Sequence, residues 1–341
     1  MNVKEQVKDL WRICFDDAAD FVDMYFRLRY REEMNLFIQK DNKMISALQL
    51  IPYPMTFCGT TIQTSYISGA CTHPDYRRKG VMHKLLLQAF ARMYSEGVLL
   101  SMLIPEQPRL VNYYGCMGYV SVFNYSKRIW ELAEIIKAGE NIQIEQSVKY
   151  RDDIYDYFNR KMSERLCCVQ HTKADFGIIL AYLFLSKGIL FLAVRGEERK
   201  IEGIAFVIAK KETGYVNELF AENPEIENEL LRQVAIQCKC NRLAVISLPE
   251  NKSKSFPLGM ARIIDAKGIL NLFAATHPEI EMNIELHDTD LCVNNGYYYL
   301  LNGKCIANAN KLMEVHKQLS IGELTEMVVS GMQPYMSLMI N

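Results

Sequence analysis

The sequence predicts an α/β (α+β) protein of mixed sheets flanked by helices, and three observations carry that expectation. Between residues 35 and 104, three strand-like runs are followed by a helix-period segment and a fourth apolar run. The same order returns more faintly between residues 189 and 248. A further set of strands and helices begins near Gly259. A chain of 341 residues exceeds the usual single domain, and the three series divide it into 1–128, 129–256 and 257–341.

Apolar residues at Val7, Leu10, Trp11 and Phe15, then at Phe21, Met24, Tyr25 and Leu28, suit two short amphipathic helices, with Asp16–Asp17 as break and N-cap. Residues 35–39 and 44–55 read as strands joined by the turn Asp41–Asn42–Lys43, and 60–72 completes a meander. Residues 81–94 repeat apolar positions at Val81, Leu85, Leu86, Ala89, Phe90 and Met93, a helix period, and Gly97 ends it. A buried strand is expected over 98–104, a loop around Pro105 and Pro108, and a strand from Gly118. In the second series, strands over 189–194, 201–209 and 215–221 precede a helix over 226–240 and a strand over 243–248. In the third, Asp265 caps a helix over 269–275, and strands follow at 282–287, 291–293 and 297–301. Ser320 and Glu323 form a capping box for a helix over 321–330. The tail after it is apolar, which points to docking rather than fraying.

Hydrophobic residues at 50% and charged residues at 23% are those of a soluble globular protein. A net charge of −1 gives no bulk electrostatic reason for a nucleic-acid or membrane-surface partner. The N-terminus lacks the apolar core of a signal peptide, and the longest apolar stretch, 178–194, is split by Ser186, Lys187 and Gly188. Ten cysteines stand mostly alone in apolar runs, without metal-ligand spacing, as expected of free thiols in a reducing cytoplasm. No metal is expected.

The chemistry concentrates in one turn. After the run 67–72 come His73–Pro74–Asp75–Tyr76–Arg77–Arg78–Lys79–Gly80, and then a helix. A helix N-terminus carries unpaired N–H groups and partial positive charge, so three cations there are unfavourable by roughly 0.3–1 kcal/mol each when exposed. An anion reverses that balance, and a pyrophosphate fits: amides cradle it, Gly80 allows close approach, and the cations add charge-assisted bonds. A solvated basic turn is the plain alternative. The small residues Ser68, Gly69 and Ala70 before the turn, and Tyr114–Gly115–Cys116–Met117–Gly118–Tyr119 after the next strand, favour the anion site.

Residues 64–122 resemble the core of a GNAT-superfamily N-acetyltransferase, whose Arg/Gln-x-x-Gly-x-Gly/Ala turn binds the coenzyme A pyrophosphate. Here the turn reads Arg77–Arg78–Lys79–Gly80–Val81–Met82, and Met82 departs from the common small residue. That departure fits the enhanced-intracellular-survival (Eis-like) branch. The resemblance implies tandem GNAT domains, the second without a coenzyme turn (Glu222–Asn223–Pro224–Glu225 stands in its place), and a sterol-carrier-protein-like C-terminal domain. It also implies acetyl-CoA as cosubstrate, an amine acceptor such as an aminoglycoside, polyamine or lysine, and a homo-oligomer.

Under the same resemblance, Ala70, Cys71 and Thr72 offer backbone groups to the coenzyme, and Arg77, Arg78, Lys79, Gly80, Val81, Met82 and His83 surround its phosphates. Tyr114 is the general acid; a phenol near pKa 10 matches an alkyl thiolate. No carboxylate occurs in 64–72, so the base implied is the C-terminal carboxylate of Asn341. Glu32–Glu33, Asp16–Asp17 and Glu106 are weighed as an acceptor cleft and read as solvated surface. A silent coenzyme A sensor and a hydrophobic-ligand carrier are the competing readings.

Overall fold

The computed structural model describes residues 2–131, 142–249, 255–312 and 316–340. Helices α1 (Val3–Cys14) and α2 (Ala19–Leu28) open the chain. Asp17 lies in the break between them but does not cap α2; its carboxylate accepts from Trp11 Nε1 at 2.8 Å. A meander follows, β1 (Asn35–Lys40), β2 (Lys43–Phe57) and β3 (Thr60–Thr72). Its first turn places Asp41 and Asn42 at φ 51° and 61°, the left-handed pair a tight hairpin needs. Pro52 and Pro54 sit in β2 beyond Gln49, where β1 no longer pairs with it and a missing N–H costs no ladder bond.

Helix α3 (Val81–Ser95) buries Leu85, Leu86, Ala89, Phe90 and Met93, the face expected from the sequence. It leads to β4 (Leu100–Leu103), parallel to β3. The expected loop around Pro108 is instead the helix α4 (Pro108–Gly115) with proline at its first turn, where no N–H bond is lost. Then comes β5 (Val120–Glu131).

The second series is β6 (Ile142–Ser147), α5 (Asp152–Ser163), β7 (Cys168–Val169), α6 (Lys173–Leu185), β8 (Ile189–Arg195), β9 (Lys200–Lys210), β10 (Thr213–Ala221), α7 (Pro224–Gln237) and β11 (Arg242–Ser247). From α5 onward it repeats the first: two helices, an antiparallel meander, a helix, and a strand parallel to the last of the meander. The remainder is β12 (Phe256–Ile263), α8 (Ala266–Thr276), β13 (Met282–His287), β14 (Gly296–Leu301), β15 (Lys304–Asn308), β16 (Lys317–Ser320) and α9 (Ile321–Val329). Asp265 and the Ser320–Glu323 box cap their helices as expected. The expected strand at 291–293 is instead a 3-10 turn, Cys292–Asn294. Its Asn294 side chain bonds Ala266 N and Ile264 O, holding it against α8 rather than in a ladder.

One sheet runs β1-β2-β3-β4-β12-β5-β11-β10-β9-β8-β6, so β12 enters between β4 and β5 of the first series. The smaller sheet is β15-β14-β13-β16. Helices of the two series share one core: Trp11, Tyr25 and Phe26 belong to the same cluster as Phe158, Phe176 and Phe206. The tail docks on that core. Tyr335 exchanges backbone bonds with Cys167 and Val169, and its hydroxyl donates to buried Glu218 at 2.8 Å.

Candidate active site

Strands β3 and β4 pair only from Thr64–Leu100 to Tyr66–Met102, and β3 then runs six residues further to Thr72. The register of β3 against β2 slips at Ser68–Cys71, where Gly69 adopts φ +60°. A Cβ on Gly69 would lie 2.1 Å from the Trp11 ring, so glycine answers both the backbone and the packing there. Parting strands and this bulge open a cavity of about 200 Å³. Trp11, Tyr66, Ser68, Ala70 and Tyr114 line it, with Asp17 and Glu106 among its charged groups.

Tyr114, on α4, is 7% exposed. Its hydroxyl has no hydrogen-bond partner among the described residues, and burial raises its pKa above that of a free phenol. A phenol that keeps its proton at neutral pH therefore lines a small cavity beside the part of β3 that β4 leaves unpaired.

The turn after β3 is strained where it is cationic. Arg78 takes φ +60° and Gly80 φ +73°; the first is uncommon for a side-chain-bearing residue and marks a built conformation. Two of the three cations are partly engaged. Arg77 Nε donates to the Thr72 carbonyl at 3.0 Å, and Lys79 Nζ to that of Asp75 at 2.7 Å. Arg78 is exposed and has no polar partner among the described residues. Behind the turn, α3 has no side-chain cap and no acidic residue in its first turn. Its leading N–H groups and Arg78 together form an electropositive pole without an internal anion.

Cys14 and Cys71 lie against this turn. Cys14 Sγ donates to the same Thr72 carbonyl at 3.4 Å. The Cys71 thiol hydrogen-bonds it and the Arg77 guanidinium adds positive charge, lowering the Cys14 pKa to about 7. That bond and burial raise Cys71 in turn.

Residues 3–121 match the family model described as an acetyltransferase (GNAT) domain. They form a GNAT acetyltransferase domain. No curated protein matches the chain by sequence. Solved structures share the fold over nearly all of it. A GCN5-related N-acetyltransferase from Anabaena variabilis is 16% identical with a TM-score of 0.76, covering 97% of this chain and 96% of that one. A probable N-acyltransferase from Enterococcus faecalis is 15% identical with a TM-score of 0.75, covering 95% and 86%. Eis1 from Mycobacterium abscessus is 11% identical with a TM-score of 0.71, covering 96% and 86%.

Within the GNAT domain, the residues singled out in the sequence fall in two adjoining places. Ala70 and Tyr114 line the cavity, with Cys71 and Thr72 next along β3. Arg77, Arg78, Lys79 and Gly80 make the turn; Val81, Met82 and His83 are the first residues of α3. His83 Nε2 faces Asp290 Oδ1 at 3.4 Å, away from the cavity-lining set. Asn341 lies outside the described residues; its neighbour Ile340 is buried. Of the acidic residues read as solvated surface, Asp17 and Glu106 line the cavity, while Glu32 and Glu33 form a separate 3-10 turn. Trp11 and Phe15 were legible only as a helix face, because nothing local in the sequence says that α1 lies across β3. A larger concavity of about 460 Å³ along Pro54, Thr56 and residues 163–166 contains none of these residues. Among the described residues no group of three or more His, Cys, Asp or Glu side chains is placed to hold a metal.

Proposed function

We propose that the protein is an N-acetyltransferase that moves an acetyl group from acetyl-CoA to a primary amine. One observation carries the reading: β3, whose Ala70 lines the cavity of Tyr114, leads into the uncapped α3 N-terminus with Arg78 unpaired beside it. Acetyl-CoA supplies an activated thioester carbonyl. Leading amides of α3, Gly80 and Arg78 hold the pyrophosphate. Ala70, Cys71 and Thr72, on the part of β3 that β4 leaves unpaired, present backbone groups toward the pantetheine and carbonyl. Tyr114 donates a proton to the departing sulfur; its raised pKa keeps that proton available at neutral pH. Ser337, Leu338, Met339 and Ile340 of the docked tail line a cleft that shares Ile104 with the Tyr114 cavity.

Calorimetric titration with coenzyme A and acetyl transfer to a panel of amines test the reading together. Arg78→Glu is expected to weaken coenzyme binding roughly 10- to 100-fold, the worth of one charge-assisted bond. Tyr114→Phe is expected to leave that affinity in place and lower kcat roughly a hundredfold or more. Undiminished affinity in Arg78→Glu would remove the basis of the proposal.

A further inference from the structure

The shape and polarity of the space beyond Tyr114 bear on the acceptor. A second cavity, of about 220 Å³, lies between the two series and shares Ile104 with the first. Its walls come from α6, β9, β10 and β12, closed by the docked tail. Among the described residues none in its lining is charged; Asn217, Ser337 and the Tyr182 hydroxyl are the polar groups. Among the described lining residues, charge stands on the other side of Ile104, where Asp17 and Glu106 line the Tyr114 cavity. Asp17 is held in place there by the Trp11 indole N–H.

A polycation would have to desolvate several ammonium groups against an apolar wall without counter-charges, at a cost no contact there repays. An amine with one cationic end and an apolar body meets the opposite situation. Its ammonium arrives beside carboxylates, and its body buries against side chains.

We infer that the acceptor is a primary amine on an apolar or aromatic body, seated among Ile179, Tyr182, Leu183, Phe206, Ile208 and Leu258, with its nitrogen on the Asp17–Glu106 side of Ile104. The inference rests on the acetyl-transfer reading above and narrows its substrate. The ammonium, which the carboxylates draw in, first loses a proton to solvent water, freeing the nitrogen lone pair. The amine nitrogen then bonds to the acetyl carbonyl carbon as the bond from that carbon to sulfur breaks. Nitrogen releases one further proton, and sulfur takes one from Tyr114, which solvent restores. The product is a neutral amide, which no longer holds to the carboxylates and leaves.

The experiment compares n-alkylamines from propyl to heptyl with spermidine and an aminoglycoside, measuring kcat/KM with acetyl-CoA and, separately, amine binding to the coenzyme A complex by calorimetry. About 0.8 kcal/mol per buried methylene corresponds to about fourfold in kcat/KM for each carbon added. Ile208→Asp and Leu258→Asn, both at half-buried positions, are expected to lower heptylamine kcat/KM at least about tenfold while leaving coenzyme affinity unchanged. A flat alkyl series, or preference for the polycations, overturns the inference and leaves acetyl transfer standing. If coenzyme A does not bind, acetyl transfer itself is refuted. Alkylamine binding to the free protein then reads the cleft alone: affinity graded with chain length upholds its ligand class, and absence of binding overturns it.

Discussion

Acidification should loosen the clamp that holds the tail over the apolar cleft, and His171 sets the size of the effect. His171 is 2% exposed and packs edge-on against Tyr53 at 5.5 Å. Its Nε2 bonds the Ser337 carbonyl at 3.0 Å, and Nδ1 is buried without a partner. Burial lowers its pKa to about 4, outweighing Asp175, which acts the other way. In the unfolded chain the same imidazole takes a proton near pH 6.5. Because the native state refuses that proton, stability is unaffected above about pH 7 and falls as pH drops through 6.5 toward 4. At pH 5 the loss is about 2 kcal/mol, and below the native pKa it reaches about 3 kcal/mol. Urea unfolding of wild type and His171→Gln at pH 7 and pH 5 isolates the term, since glutamine can still donate to Ser337. The acid-induced loss should be about 2 kcal/mol smaller in the variant. Identical losses in the two proteins, or an NMR titration placing His171 near 6.5, would refute the argument.

Two further predictions follow from buried or perturbed groups. Arg262 is fully buried, donates to Asp288 at 2.7 Å and to the Met117 carbonyl at 2.8 Å, and stacks on Phe90. Arg262→Ala leaves the Asp288 carboxylate buried without its counter-charge and should cost about 3–5 kcal/mol in urea unfolding. A loss below about 1 kcal/mol would mean that Asp288 is satisfied by its other donors, Asn294 and the amides of Asp290 and Leu291. Cys14, with its pKa near 7, should alkylate faster with iodoacetamide at pH 7 than exposed Cys116 or Cys292. Its rate should climb as pH rises through 7 and then level off; peptide mass spectrometry showing Cys116 and Cys292 modified first would count against the assignment.

Local patterns told most of this fold, and long-range register told the rest. The 3.6-residue period of α3, the Asp41–Asn42 turn and the Ser320–Glu323 box were legible because each is decided within a few residues. The short helix α4 was not, since two prolines and one turn of apolar spacing look the same in a loop as at a helix start. Nor was the passage of β12 between β4 and β5, because a strand's partners are chosen by the whole sheet and not by its own sequence. The candidate site divides in the same way. Its cationic turn and tyrosine lie within one continuous stretch and were visible, whereas Trp11 and Asp17 reach it from sequence positions far away.

The two series also explain each other. Both place a helix after a bulged strand: β3 shifts register at Gly69, β10 between Val216 and Glu218. A helix start is electropositive whatever its sequence, so the difference lies in what neutralises it. At α7 the Asn223 side chain caps the Ile226 amide, Pro224 removes another donor, and Glu225 and Glu227 place negative charge in the first turn. At α3 every one of these is absent and three cations take their place. The tail borders the space by the second bulge instead: Asn217 lines the apolar cleft with it, and Glu218 accepts from Tyr335 and pairs with Arg165. One copy of the fold thus leaves its helix pole without an internal anion, while the other has satisfied its own and become the wall against which the tail closes.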